Sequence, residues 1–283
     1  MRLVNFIDAG KTQLGARNGD TLVNLTAAGL PDSVDALLKM GDAGLAKARD
    51  AAAKAAVTLP FAKAKLLAPV LNPSKAIAVG LNYVDHAAES PYDAPKYPVL
   101  FHRFPSSWVA HDEPLVKPKV SDEFDYEAEM AIIIGKTGRH IPKDKALDYV
   151  AGYSLFNDGS IRDYQFKSHQ WMIGKNFDAS ASFGPELVTA DELPPGATGL
   201  RIQARLNGKV MQDANTKDMI FDVVTLVSTC SEIFALQPGD VIISGTPAGV
   251  GFARNPKIFM KQGDIIELEV DKIGVLRNGI RNE

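Results

Sequence analysis

Cysteine is almost missing from this chain. Cys230 is the single one in 283 residues, which excludes an intrachain disulfide framework and the small secreted scaffolds that depend on one. Long hydrophobic runs are missing too. None approaches the ~20 apolar residues of a membrane-spanning helix, and Met1 to Phe6 reads as a strand without the apolar core of a secretion signal. Neither sign of charge is in excess. With 31 Lys and Arg against 34 Asp and Glu the formal net charge is -3. The signs are interspersed, which gives no footprint for nucleic acid or an anionic membrane. His111, His140 and His169 have no metal-ligand spacing. The Gly-rich stretch Ser244 to Gly251 lacks both the lysine of a phosphate-binding loop and the spacing of a dinucleotide fingerprint. What remains is a cytoplasmic protein in a reducing compartment, without a nucleic-acid or membrane partner. Cys230, in the apolar stretch Val223 to Phe234, is expected to be a small buried hydrophobe.

The rest of the composition is that of an ordinary globular chain, 46% hydrophobic and 23% charged,. Residues 1–70 read as a small α/β domain packed on a larger one. Leu3 to Ile7 and Gln13 to Ala16 form a hairpin, Asp20 to Leu25 adds a strand, and Ser33 to Met40 and Ala43 to Ala56 are helical with Ser33 as N-cap. Pro60, Pro69 and Pro73 punctuate the crossing into residues 71–283. There the pattern is one of short strands: Ala76 to Gly80, Met130 to Ile134, Tyr153 to Phe156, Leu200 to Leu206 turning at Asn207-Gly208, Val241 to Ser244 and Ile265 to Val270. Ile220 to Ala235 is a long amphipathic helix. The fold class is α+β, mainly β, a rolled or barrel-like sheet domain with helices on its rim.

Six stretches carry residues suited to chemistry. In Asp125-Tyr126-Glu127-Ala128-Glu129, the two glutamates are spaced to project from one face of a strand. Side by side they repel unless a cation neutralises them, and a hard divalent ion prefers such oxygens. Asp158, in Asn157-Asp158-Gly159, supplies a third carboxylate from a second strand end. In Gly80 to Glu89, His86 and Glu89 fall at i and i+3 of a short helix capped by Asn82 or Asp85, where the carboxylate makes the imidazole a better base. The alternative is an incidental surface pair. Lys175 lies between apolar residues and fits either an oxyanion or a surface position. Arg103, flanked by Phe101 and Phe104, fits either a carboxylate grip or a structural stack on Phe104. Arg162 and Gln165, three apart, are candidates to face one cleft, with an Arg162–Asp163 pair as the alternative. Thr246 offers a hydroxyl and an N–H from the Gly-rich loop.

These pieces in this order resemble the fumarylacetoacetate hydrolase family, over about residues 76 to 270. The matching stretches are GLNYVDHAAE, DYEAEMAIIIG, NDGSIRDYQ, GKNFD, LQPGDVIISGTPAGVG and QGDIIELEV. The resemblance implies a mixed β-roll with the site at its mouth, Mg²⁺ or Mn²⁺ held by Glu127, Glu129 and Asp158, and commonly a homodimer. It implies that His86 and Glu89 orient a catalytic water, that Lys175 contacts the metal shell or substrate, and that Arg162, Gln165 and Thr246 lie on the substrate side; Arg103 joins them as a substrate-binding candidate only from its own aromatic-flanked setting. The substrate class it implies is a small 2-oxo or 2,4-dioxo acid. The favoured reaction is hydrolysis of a carbon–carbon bond in an acylpyruvate, giving pyruvate and a carboxylic acid. Decarboxylation, isomerisation or hydration of an unsaturated 2-oxo diacid is the alternative. Gly159, where many relatives carry a larger residue, is expected to widen the pocket.

Overall fold

The computed structural model describes residues 1–54, 58–89 and 94–283. Its organising strand is Ala128–Ile134, which is buried at every position. A strand covered on both faces needs a continuous apolar run rather than an alternating one. Successive side chains point to opposite faces: Met130, Ile132 and Ile134 enter the core of the roll, while Ala131 and Ile133 enter a second core. The strand pairs antiparallel with Val150–Asn157, Ala128 opposite Asn157, and on its other side with Val241–Ile243. Val241–Ile243 runs parallel to Ala76–Gly80, which pairs with Val99–His102. On the far flank Val150–Asn157 pairs with Ala181–Thr189.

The N-terminal segment is joined to this sheet more closely than packing alone requires. Arg2–Asp8 hydrogen-bonds to Ala181–Thr189 with Leu3 opposite Leu187, so the sheet runs unbroken from the N-terminal hairpin to the strand before Arg103. The helices Val34–Leu38 and Gly41–Lys54 cover its second face, with Val34, Leu37 and Ala48 buried among Leu3, Leu14, Ile133 and Ile243. Ser33 caps the first, its Oγ accepting from the Ala36 N–H at 3.3 Å. Residues 55 and 56, expected to end the second, lie outside the described residues.

A second sheet of Arg201–Leu206, Lys209–Asn215, Ile265–Val270, Gly274–Asn282 and Leu115–Lys117 closes over the other face. The hairpin turn at Asn207 and Gly208 has φ of 52° and 77°, both positive as a two-residue turn of this kind needs. The fold is thus α+β, mainly β, a mixed-β roll. The helix Val223–Ile233 is shorter than its periodicity predicts. Asp222 caps it at 2.8 Å, while Ile220 and Phe221 give their N–H groups to Asn82 instead. Burial within this helix pushes the Cys230 thiol up to about 12. Among the described residues no helix is long and apolar enough to cross a membrane.

One edge of the main sheet matters for chemistry. There Val150–Asn157, Val241–Ile243 and Ala76–Gly80 all finish, and Ala128–Ile134 begins.

Candidate active site

Three carboxylates meet at that edge. The Glu127 and Asp158 main chains are tied together, Asp158 N–H donating to Glu127 O at 3.0 Å and Asn157 Oδ1 accepting from Glu127 N at 3.0 Å. One oxygen from each of Glu127, Glu129 and Asp158 lies within 4.8 Å of the others, and all three residues are buried. Glu129 is steadied by the Gly245 N–H. Gly245 has φ +97°, and a Cβ there would meet Asn82 Cβ at 2.6 Å, so only glycine lets the loop come this close,. Asn82 is no helix cap. Its Nδ2 donates to Ser244 O at 2.7 Å and to Phe221 O at 2.9 Å, which pins the loop that carries Gly245.

Buried like charges must be balanced, and three cations do so. Lys175 Nζ lies 2.7 Å from Glu127 Oε2 and 2.6 Å from Asp158 Oδ2. Arg162 Nη2 lies 2.8 Å from Asp125 Oδ2 and 2.7 Å from Glu127 Oε1. Arg103 Nη1 lies 3.1 Å from Asp158 Oδ1. Burial alone pushes the Glu127 carboxyl up, but Lys175, Arg162 and His86 outweigh it and leave it at about 2. Glu129 goes the other way: burial, then the charges of Asp158 and Glu127, hold it well above the ordinary carboxylate value. Arg162 would be lowered by burial, yet Asp125 and Glu127 raise it. Asp125, Glu127, Glu129 and Asp158 stand against Arg103, Arg162 and Lys175, four carboxylates to three cations, and Glu129 is the carboxyl whose titration burial and its neighbours push up.

His86 and Glu89 stand across the same cavity, Nδ1 and Oε1 2.9 Å apart. Glu89 is itself held by the Gly249 N–H at 3.0 Å. The cavity, of about 50 Å³, is lined by the three carboxylates, His86, Glu89, Arg162, Gln165, Lys175 and Thr246, room for roughly three or four waters. Gln165 Oε1 accepts from Arg162 Nη1 at 2.9 Å. Thr246 Oγ1 is committed within the fold, donating to Ala128 O at 3.0 Å and accepting from Gln212 Nε2 at 2.8 Å.

Three expectations change here. Arg103 is fully buried and does not line the cavity among the described residues. Its guanidinium lies behind Asp158, donates to Gly159 O at 3.1 Å and sits over Phe156, not Phe104. Gly159 does not widen the pocket: a Cβ there would meet Ser180 O at 1.9 Å, so glycine serves a close backbone crossing. Arg162 pairs with Asp125 and Glu127, while Asp163 accepts from Ser121 Oγ at 2.6 Å. Sequence reasoning passed over Asp125 as a site residue, although it opens the acidic motif. Its oxygens also accept from Gly251 and Phe252 N–H at 2.8 and 2.9 Å, which folds the Gly-rich loop over the cavity. The apolar walls, including Phe101, Phe166, Trp171, Val250 and Phe252, had no local signal.

The residues fit a divalent ion. The donor set is all carboxylate oxygen, the choice of a hard cation, and Asp158 Oδ1 is buried without a hydrogen-bond donor in line. An ion there would be held by Glu127, Glu129 and Asp158.

Comparison with known proteins adds to this geometry. The mitochondrial oxaloacetate tautomerase FAHD2A of Homo sapiens is 40% identical over 288 aligned residues, covering 99% of this chain and 91% of its own. The crystallised fumarylacetoacetate hydrolase of the psychrophile Exiguobacterium antarcticum is 34% identical, with a TM-score of 0.88 and 100% of each chain covered. The maleylpyruvate hydrolase of Sphingobium sp. SYK-6, solved with manganese(II) and pyruvate, is 31% identical with a TM-score of 0.84, covering 100% of this chain and 99% of that one. Relatives thus include a tautomerase and hydrolases. The fumarylacetoacetate (FAA) hydrolase C-terminal family matches residues 75–281, and with three carboxylates, a lysine and a His–Glu pair on one cavity, the chain belongs to that family.

Proposed function

We propose that the protein is a divalent-metal-dependent enzyme that moves a proton between the keto and enol forms of a small 2-oxo diacid of the oxaloacetate type. The observation that carries this reading is that His86–Glu89 and the three carboxylates share one small cavity. An ion held by Glu127, Glu129 and Asp158 would supply Lewis acidity to the negative charge that develops on the acid,. His86 is the proton carrier. With Nδ1–H donating to Glu89, Nε2 is left as the free base that takes the proton from carbon 3 and returns it. Gln165, its Oε1 held by Arg162, offers amide N–H groups to a substrate oxygen. Lys175 orients Glu127 and Asp158 and keeps Glu127 ionised. Thr246 holds the loop that bounds the cavity. Arg103 positions Asp158 from behind rather than gripping substrate.

Identity over nearly the whole chain to a tautomerase puts this reaction ahead of the one expected from the motifs. Hydrolysis of a 2,4-dioxo acid is the second reading, supported by the likeness to the maleylpyruvate hydrolase. It uses the same parts, with His86 taking its proton from water. A homodimer remains part of the proposal, for light scattering to decide.

The test follows the ultraviolet absorbance of enol-oxaloacetate, and in parallel pyruvate release from acylpyruvates, with Mn²⁺ or Mg²⁺ and with EDTA. His86→Ala should lower the enzymatic tautomerisation rate by about 10²–10⁴-fold, the usual loss for a general acid–base residue. Wild-type protein that fails to exceed the metal-only rate, or that keeps its rate in EDTA, would end the reading. Pyruvate release without tautomerisation would transfer it to the hydrolase.

A further inference from the structure

The catalytic cavity has a neighbour. Phe101, Phe166 and Trp171 line it and also line a larger outer groove of about 460 Å³. Among the described residues these three side chains are common to both spaces and form the partition between them. Trp171 is its centre. Its ring meets Phe101 edge-on, centroids 6.0 Å apart with 72° between planes. Gly80 also stands against the ring, where a Cβ would lie 2.2 Å from Trp171 Cζ3. The sequence thus keeps a glycine where the ring needs the room. Beyond the partition the groove is lined by Val99, Leu100 and the exposed stretch Lys167 to Gln170. Lys167 is one of its lining residues and the cation beside it, its Nζ resting 3.2 Å from the centre of the Tyr164 ring.

The cavity is the smaller of the two spaces, and an acid that lengthens from it toward the groove meets the indole. The groove behind it offers what such an acid's tail needs: apolar walls for methylenes and a cation for a terminal carboxylate. We propose that Trp171 sets the chain length of the acid, and that the outer groove is the subsite for the distal carboxylate of a longer 2-oxo diacid when the indole is out of the way. This inference rests on the 2-oxo acid reading above.

The experiment measures binding as well as turnover. Straight-chain 2-oxo diacids of four to seven carbons are competed against oxalate on the Mn²⁺-loaded protein by calorimetry, for wild type, Trp171→Phe and Trp171→Ala. In wild type, affinity should fall by about 10-fold or more once the chain exceeds four carbons, in the range for one misplaced methylene in a closed pocket. Trp171→Ala should level the series to within about threefold, with Trp171→Phe keeping the wild-type order. Adding Lys167→Ala to Trp171→Ala should remove the gain for long diacids but not for 2-oxo acids with an apolar tail. A Trp171→Ala protein that keeps the wild-type ranking overturns the proposal, as does a wild type that does not discriminate. If the ranking shifts as expected but no variant and no wild type turns any acid over, the proposed reaction fails and the chain-length role stands. If no acid of the series binds, both fall.

Discussion

Replacing Lys175 by methionine removes one charge from the middle of the buried cluster and little volume. The ammonium touches Glu127 and Asp158 at 2.7 and 2.6 Å with almost no exposure to solvent. Deleting one partner of a buried pair costs about 3–5 kcal/mol, because the other partner is left charged and unpaired. At about 2.1 cal/mol/K per residue, 283 residues give an unfolding entropy of about 0.6 kcal/mol/K, so the metal-free variant should melt about 5–8 °C below wild type,. The second half of the effect has the opposite sign. Without the ammonium the cluster holds four carboxylates against Arg103 and Arg162, and a divalent ion no longer works against a neighbouring cation. Unit charges 4 Å apart at an effective dielectric of ~20 interact by about 4 kcal/mol, so an affinity gain for Mn²⁺ of at least about tenfold is a conservative expectation. Melting curves in EDTA and in a Mn²⁺ series read both halves, since an ion that binds only the folded chain stabilises by RT ln(1 + [L]/Kd). Equal melting in EDTA would show that the ammonium does not balance the cluster. Unchanged Mn²⁺ affinity would show that the ion sits elsewhere.

Two further outcomes follow from the displaced titrations. Glu129 is held well above its ordinary 4.5 by burial and then by Asp158 and Glu127. A raised folded value means that its contribution to the metal-free protein is complete below 4.5 and is lost as pH rises through the folded value. The metal-free protein should therefore lose stability toward alkaline pH while Mn²⁺ affinity rises, with proton release on binding measured by calorimetry in buffers of different ionisation enthalpy. No dependence on buffer would show that Glu129 is already ionised. Cys230, fully buried and pushed up to about 12, should resist thiol reagents at neutral pH in the folded protein and react only on unfolding. Rapid labelling under native conditions would contradict the packing of Val223–Ile233.

Much of the fold was legible because its elements are locally specified. The run Met130 to Ile134, the Asn207-Gly208 turn and the Ser33 cap each carry their own signal, and each forms where the pattern puts it. What could not be read is what depends on distant partners. Nothing within residues 1–70 says that Leu3 will pair with Leu187. The periodicity of Ile220 to Ala235 likewise says nothing of Asn82, which takes the Ile220 and Phe221 N–H groups and so delays the helix to Val223.

The site divides along the same line. Carboxylates close in sequence at a strand end declare themselves, because Glu129 stands in the strand Ala128–Ile134 and Glu127 directly before it. Long cations do not, since what a guanidinium reaches depends on elements many residues away. Arg103 looked like a grip because aromatics flank it. The decisive fact is that the strand carrying its neighbours pairs with Ala76–Gly80 and delivers the side chain behind Asp158, where it is fully buried. Arg162 looked as if it belonged to Asp163, its neighbour in sequence. A buried guanidinium needs carboxylates that are buried as well, and Asp125 and Glu127 are, whereas Asp163 has Ser121,. The acidic motif and the basic residues are thus one unit. Four carboxylates crowded at a sheet edge can be folded only with cations interleaved among them, and the excess of carboxylates over cations is what makes the cluster ready for a divalent ion.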